Sequence, residues 1–419
     1  MRGGSAKPIG MLGVAAVGCV IAALQSGCAP KFDGPYPCAT GYASCATKNA
    51  CESALASDGD NCGKCGQACG LGARCTKSKC GAVAERVATF EPGAQTAIAV
   101  NSSGVFWLDQ STIFMVPLAG GVPTVAAANV RSCSSASFAV NDDSLYYLWT
   151  GSPPDYIAGL TKLSLSTRTE ALLMPNAKDA NECGSVAIDA ENIYVWTPGG
   201  NPTGPSNTFT LSKIPMAGGA PVTLATLSTG SVPELSVAGD VVLTPERQSD
   251  GSDVIRAVPI AGGKQKTIPI NLNLGGFNAF TADADNVYVV GSSCGSCSKS
   301  DNGGSSAGSE HPPMGAVGKI RLDGSHAKEL AQVTGQALSI AVDAKYVYWS
   351  TETAVWRAPI AGGDAVPIAG GLSVGMAAIQ CSGVCNNGQT PSVRMPIAVD
   401  ATSVYILDSV AGAVLKVPK

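Results

Sequence analysis

From about residue 82 onward the chain repeats itself, and a repeat of this period leaves few folds open. One unit reads Ala341-Val342-Asp343-Ala344-Lys345-Tyr346-Val347-Tyr348-Trp349, then Val355-Trp356-Arg357-Ala358-Pro359-Ile360-Ala361-Gly362-Gly363. The first half returns from Ala99-Val100-Asn101, Ala139-Val140-Asn141, Ala187-Ile188-Asp189, Ser236-Val237-Ala238, Thr281-Ala282-Asp283 and Ala398-Val399-Asp400. That makes seven copies, spaced 40, 48, 49, 45, 60 and 57 residues apart. The Pro-x-Ala-Gly-Gly element returns at Pro117, Pro215, Pro259 and Pro359. Such periods belong to propellers or to helical arrays. Short alternating runs rich in Val, Ile, Tyr and Trp, broken by tight turns, choose strands. Four runs per unit make a propeller blade.

The ends of the repeat region supply a second argument. The last unit stops at Lys416-Val417-Pro418-Lys419, where its fourth strand is due. A matching run, Glu85-Arg86-Val87-Ala88-Thr89-Phe90, precedes the first unit and resembles Pro221-Val222-Thr223-Leu224-Ala225-Thr226. Threading it into the last blade closes the ring and removes two sheet edges. The expected fold is therefore all-β: a seven-bladed β-propeller of four-stranded blades over residues 82–419, closed by an N-terminal strand.

Two series recur with the blades. Trp107, Tyr147, Tyr194, Tyr288, Trp349 and Tyr405 occupy nearby second-strand positions, and packing between blades is their expected role. Asn101, Asn141, Asp189, Asp283, Asp343 and Asp400 sit at a tight turn, where Asx side chains bond their own backbone. Ala238 interrupts that series in the fourth unit, which argues against a ring of metal-binding carboxylates.

The segment before the ring carries an address. Arg2 and Lys7 precede a largely apolar run from Ile9 to Leu24, the pattern of an export signal over residues 1–27. The run is short for a membrane span. It ends in Leu24-Gln25-Ser26-Gly27-Cys28, which resembles a bacterial lipobox, although Gln25 stands where an aliphatic residue is usual. The resemblance implies lipidation at Cys28, a linker over 28–37, and an exported protein anchored in the cell envelope, at the outer membrane or cell surface. Cys19 is a rival that would leave too short an apolar region.

Eight Cys follow within a segment poor in aliphatic residues: Cys38, Cys45, Cys51, Cys62, Cys65, Cys69, Cys75 and Cys80. A module over 38–80 so composed folds only if cross-linked, and an oxidising compartment supplies disulfides. The Cys62-x-x-Cys65 spacing also fits zinc, but the module contains no His and the export signal opposes it. The run from Asn61 to Cys80 resembles the cysteine-rich repeat of stigma-specific secreted proteins, and similar segments are common in exported proteins of myxobacteria. The resemblance implies a small extracellular spacer or adhesion module.

Loop lengths are uneven within the ring. First-to-second and third-to-fourth turns are short. Insertions occupy second-to-third loops (Gly151–Gly159, Pro198–Asn207, Pro245–Asp253, Gly291–Gly318) and fourth-to-first loops (Pro175–Gly184, Gly371–Arg394). In a four-stranded blade these two loop types share one face. That face is expected to hold Cys133, Cys183, Cys294, Cys297, Cys381 and Cys385, with Cys133 paired to Cys183 from equivalent loops of neighbouring blades. Cys294–Cys297 and Cys381–Cys385 close local loops, or cross-pair between the two long insertions. A redox role for Cys294-Gly-Ser-Cys297 lacks the strand–helix context it would need. The topology predicts that the module and lipid end attach to the opposite face, so that the insertions point away from the membrane.

Long loops on a rigid scaffold are where function usually lives. Tyr156, His311 and Arg394 are the candidate binding residues there. A net charge of −4 gives no basic surface for nucleic acid. Only two His, and no phosphate loop, favour a non-enzymatic protein- or glycan-binding scaffold without cofactor or metal. The ring resembles exported propellers of the six- and seven-bladed repeat families, which mostly bind proteins or glycans. Tyr348-Trp349-Ser350-Thr351 faintly resembles the signature of receptor propellers named after a Tyr-Trp-Thr-Asp motif, in one blade only. The alternative is a propeller lyase or hydrolase similar to streptogramin lyases, which would engage His311 or His326 with a magnesium ion near the ring centre.

Overall fold

The computed structural model describes residues 84–419, apart from 94, 131–137, 151–157, 176–183, 199–207, 229–233, 275, 293–313 and 373–394; before residue 84 it describes 42–43, 53–54, 62–65, 75–76 and 79–80. Seven four-stranded antiparallel sheets form the ring. The first blade comprises Gln95–Val100, Val105–Asp109, Thr112–Val116 and Thr124–Ala127. The second comprises Phe138–Val140, Ser144–Thr150, Ala158–Ser164 and Glu170–Pro175. The third comprises Val186–Ile188, Asn192–Pro198, Thr208–Pro215 and Val222–Ser228. The fourth comprises Ser236–Ala238, Val241–Arg247, Asp253–Pro259 and Lys266–Pro269. The fifth comprises Ala279–Ala282, Asn286–Ser292, Met314–Arg321 and Lys328–Thr334. The sixth comprises Ser339–Val342, Tyr346–Ser350, Val355–Pro359 and Val366–Ala369. The seventh comprises Ile397–Val399, Ser403–Asp408, Ala413–Pro418 and, from the other end of the chain, Glu85–Thr89.

The closing strand is the one expected from sequence. It pairs antiparallel with Ala413–Pro418, Thr89 opposite Ala413 and Glu85 opposite Lys416. First strands of neighbouring blades touch all the way round, the seventh against the first included. They surround the axis where blades approach closest. Small residues stand there at equivalent positions: Ala99, Ala139, Ala187, Ser236, Thr281, Ala341 and Ala398.

Strand alternation places successive side chains on opposite faces, so each blade presents two apolar faces, one to each neighbour. Tyr194 and Trp196 of the third blade pack with Val242 and Val258 of the fourth. Tyr405 and Leu407 of the seventh pack with Val105 and Trp107 of the first. The core is thus a chain of interblade clusters rather than one centre. The aromatic series read from sequence lies on second strands and packs between blades as expected, but its members do not share one register position. Trp107, Tyr147 and Trp349 are not equivalent to Tyr194, Tyr288 and Tyr405. The true equivalents, opposite the small first-strand residue, are Phe106, Tyr146 and Tyr348. Trp107 and Trp349 lie one residue further on and face the preceding blade.

The Pro-x-Ala-Gly-Gly element forms the third-to-fourth turn, with Gly218 at φ +87° and Gly219 at φ +141°. Those values favour glycine because a side chain there meets its own backbone. Before the ring, Cys62 and Cys75 form a disulfide with Cα atoms 5.5 Å apart, and Cys65 is disulfide-bonded as well. Disulfide-bonded Cys62 and Cys65 replace the zinc alternative at these positions. Cys75 and Cys80 face each other across a two-stranded ladder. Cys28, Cys38, Cys45, Cys51 and Cys69 lie outside the described residues.

Candidate functional site

The two ends of the blades differ in kind. At one end are the short first-to-second and third-to-fourth turns. At the other are the second-to-third and fourth-to-first connections, where the interruptions at 151–157, 199–207, 293–313, 176–183, 229–233 and 373–394 fall. Glu85 pairs with Lys416 near the short-turn end of the seventh blade, so the chain enters the ring there. Tyr156, His311 and Arg394 lie outside the described residues, as do Cys133, Cys183, Cys294, Cys297, Cys381 and Cys385. His326 is described. It lies at the third-to-fourth turn of the fifth blade, on the outer rim and exposed, with Nδ1 2.7 Å from Ser325 Oγ. It is therefore remote from the ring centre that a lyase His would occupy.

The short-turn end carries a repeated polar unit. Asp189 Oδ1 accepts from the backbone N–H of Glu191 (2.7 Å) and Asn192 (2.6 Å), and Oδ2 accepts from the Tyr194 hydroxyl (2.6 Å). Asp283 with Tyr288 (2.6 Å), Asp343 with Tyr348 (2.9 Å) and Asp400 with Tyr405 (2.8 Å) repeat it. The Asx turn was foreseen from sequence; the tyrosine five residues on was not. Opposite each tyrosine on the third strand stands a cation: Lys213, Lys319, Arg357 and Lys416. Lys319 and Lys416 lie 5.8 and 6.0 Å from the Tyr288 and Tyr405 ring centroids, within cation–π range.

These lysines also tie blades together. Lys213 Nζ donates to the Ile260 carbonyl at 2.9 Å, and Lys416 Nζ to the Leu118 carbonyl at 3.3 Å. In the second blade Lys162 donates to Met216 at 3.3 Å. Each acceptor is the x residue of Pro-x-Ala-Gly-Gly in the next blade. The three members vary from blade to blade. The second blade has Asn141, Tyr146 and Lys162; the first has Asn101, Phe106 and Met115; the fourth has Ala238, Leu243 and Ala257. A signal existed in sequence: Asp at one position predicts Tyr five residues later and a cation on the third strand.

The electrostatics follow from this geometry. Burial pushes the Asp343 carboxyl up, but hydrogen bonds from Lys419, from the Lys345 and Tyr346 amides and from Tyr348 outweigh it and hold it at about 2. Burial likewise opposes, and hydrogen bonds reverse, the shift at Asp189, Asp283 and Asp400, all held low. The partner tyrosines are raised by burial and by the adjacent carboxylate. The carboxylates are thus engaged by internal partners, those of Asp189, Asp283 and Asp400 within their own blades and Asp343 also by Lys419 of the seventh. Among the described residues no group of three or more His, Cys, Asp or Glu is placed to hold a metal ion. Among them, too, no helix is long and apolar enough to cross a membrane.

The fold and its two unlike faces define the chain as a seven-bladed β-propeller with its insertions on one face. No family model matches it, and no curated protein sequence matches it. Among solved structures it is similar to the β-propeller domain of the Trilobed protease from Pyrococcus furiosus, at 10% identity over 75% of this chain and 91% of that one, TM-score 0.46. It is similar also to an oligogalacturonate lyase in complex with manganese, at 11% identity over 79% and 89%, TM-score 0.49. A chain of a nidogen/laminin complex shares 13% identity over 63% and 85%, TM-score 0.37. Identities this low concern the fold alone, and the functions of these proteins are not transferred.

Proposed function

We propose that this chain is an exported, lipid-anchored propeller that binds a protein or a glycan through its insertion-bearing face. The observation that carries the reading is the opposition of the two ends. The chain enters at the short-turn end, through a strand whose Glu85 lies opposite Lys416. The insertions emerge at the other end. An anchor at Cys28 then holds the short-turn end towards the membrane and presents Tyr156, His311 and Arg394 outward. A rigid ring that spends its repeated carboxylates on internal hydrogen bonds is a scaffold, and scaffolds of this kind place recognition in their loops.

The test uses residues 29–419, exported without the lipid. A glycan array and a pull-down from envelope extract are run beside a triple variant, Tyr156→Ala, His311→Ala and Arg394→Ala. Binding by the parent, lost in the triple variant, is the expected result. Silence of the parent in both assays refutes the reading. Orientation is tested separately by labelling Ser305 in intact cells: shielding there, with free labelling at the Ala-Gly-Gly turns, reverses the proposed topology.

A further inference from the structure

The ring closes at the seam between the seventh blade and the first, and that seam holds buried polar atoms without partners. Gln95 is 3% exposed and Trp107 is fully buried. Gln95 Nε2 donates to the Glu91 carbonyl at 3.1 Å, yet its Oε1 has no hydrogen-bond partner. Trp107 Nε1 and Ser409 Oγ have none either.

The topology brings these three residues to one seam. Gln95 lies opposite Asp109, two residues beyond Trp107 and on the same face of the strand. That face packs on Val87, Leu407 and Val414 of the seventh blade. Ser409 follows Leu407 by two residues, and its carbonyl accepts from the Gly93 amide at 3.2 Å. The segment from Phe90 to Gly93 joins the two sides. The Phe90 ring lies 5.7 Å from Trp107, and the Phe90 amide donates to Gly412 at 2.8 Å. Thr96, the extra residue of a bulge between Gln95 and Ala97, adds another unpartnered atom, Oγ1. Bulges break strand alternation and re-aim side chains.

Leaving a buried polar atom unpaired is unfavourable, and several in one seam require a common explanation. The chemistry of the set narrows the ligand. Trp107 Nε1–H only donates, and Gln95 Oε1 only accepts. A metal cation cannot accept the indole proton. An anion without hydrogen cannot donate to the amide oxygen. The ligand must do both and must be small. We propose that the closing seam is a built hydration site, in which ordered water bridges Trp107 Nε1, Gln95 Oε1 and Ser409 Oγ. The bridge links the first blade to the seventh beside the strand that closes the ring.

The test is a water-selective nuclear Overhauser measurement on the isotopically labelled full chain, in which Trp107 contributes one of five indole N–H signals. A cross-peak from long-lived water to the Trp107 indole proton is expected. It should weaken or vanish in Gln95→Leu, with Ser409→Ala as the second variant should the first fail to fold. The proposal is overturned if the wild-type indole shows no water contact. It is overturned equally if a crystal structure shows Trp107 Nε1 bonded directly to Gln95 Oε1 or Ser409 Oγ.

Discussion

Lys419 offers a direct test of the polar unit that recurs round the ring. Its Nζ lies 2.6 Å from Asp343 Oδ2 and 5.5 Å from the Tyr348 ring centroid. The pair links the end of the seventh blade to the first turn of the sixth. Asp343 is held at about 2 against an ordinary 3.8, so the unfolded chain takes up a proton before the folded one does. Stability from this carboxylate is complete above about pH 4 and is lost as pH falls through about 2. Nearly two pH units correspond to at most about 2.5 kcal/mol for all its partners together. The two side chains keep 14% and 23% exposure, so solvent screening reduces the whole, and the ammonium accounts for ~1 kcal/mol. Lys419→Met should therefore lower the urea midpoint at pH 7 by a stability of about 1 kcal/mol. Because the mutation removes a charge partner, the loss should shrink as the pH approaches 2. Paired urea titrations of parent and variant at pH 7, 5, 3 and 2 read the difference directly; the other low carboxylates cancel in it. A variant as stable as the parent at pH 7, or a deficit unchanged at pH 2, would refute the reasoning.

Other expectations follow from the same geometry. Lys416→Met removes both the bond to the Leu118 carbonyl and the cation facing Tyr405, and should cost about 1 kcal/mol in urea unfolding. The folded chain keeps protons on Tyr194, Tyr288, Tyr348 and Tyr405 that the unfolded chain releases, so stability should fall as pH rises above 10. In Tyr288→Phe that alkaline fall should be smaller, as judged by denaturation at pH 9 and 11. Gly219→Ala forces a side chain onto φ +141° and should cost about 1–3 kcal/mol, measured by thermal or urea unfolding. Val87→Asp buries an unpaired charge in the closing strand, at 2% exposure, and should cost several kcal/mol. It also frees the edge of Ala413–Pro418, so light scattering should show more association than for the parent.

Much of the ring was legible in the chain because a blade is a local structure. Its strands are joined by short turns, and Asp189 or Gly219 reports a turn from its immediate neighbours. The closing strand was legible for a different reason: Lys416–Lys419 ends where a fourth strand is due, and Glu85–Phe90 is surplus at the other end. The aromatic series was legible as second-strand packing between blades, but its register was not, because Trp107 and Phe106 are adjacent and both large. Only the register, Phe106 opposite Ala99, shows that the first faces the preceding blade and the second the next. The orphaned atoms of Gln95, Trp107 and Ser409 were invisible in sequence. They belong to segments some three hundred residues apart, and nothing in a polar side chain's own neighbourhood says that its partner will be missing.

By itself the sequence determined the repeat, the number of blades, the strand that closes them and the face from which the insertions leave, because each follows from periodicity and turn chemistry along the chain. Tertiary structure alone decided which face of each strand meets which neighbour. It coupled Asp, Tyr and Lys into one unit reaching the next blade's Gly-Gly turn, and it left unpartnered polar atoms beside the apolar cluster of the closing seam. Those properties arise between blades, where side chains distant in sequence share one dehydrated space and must satisfy one another there.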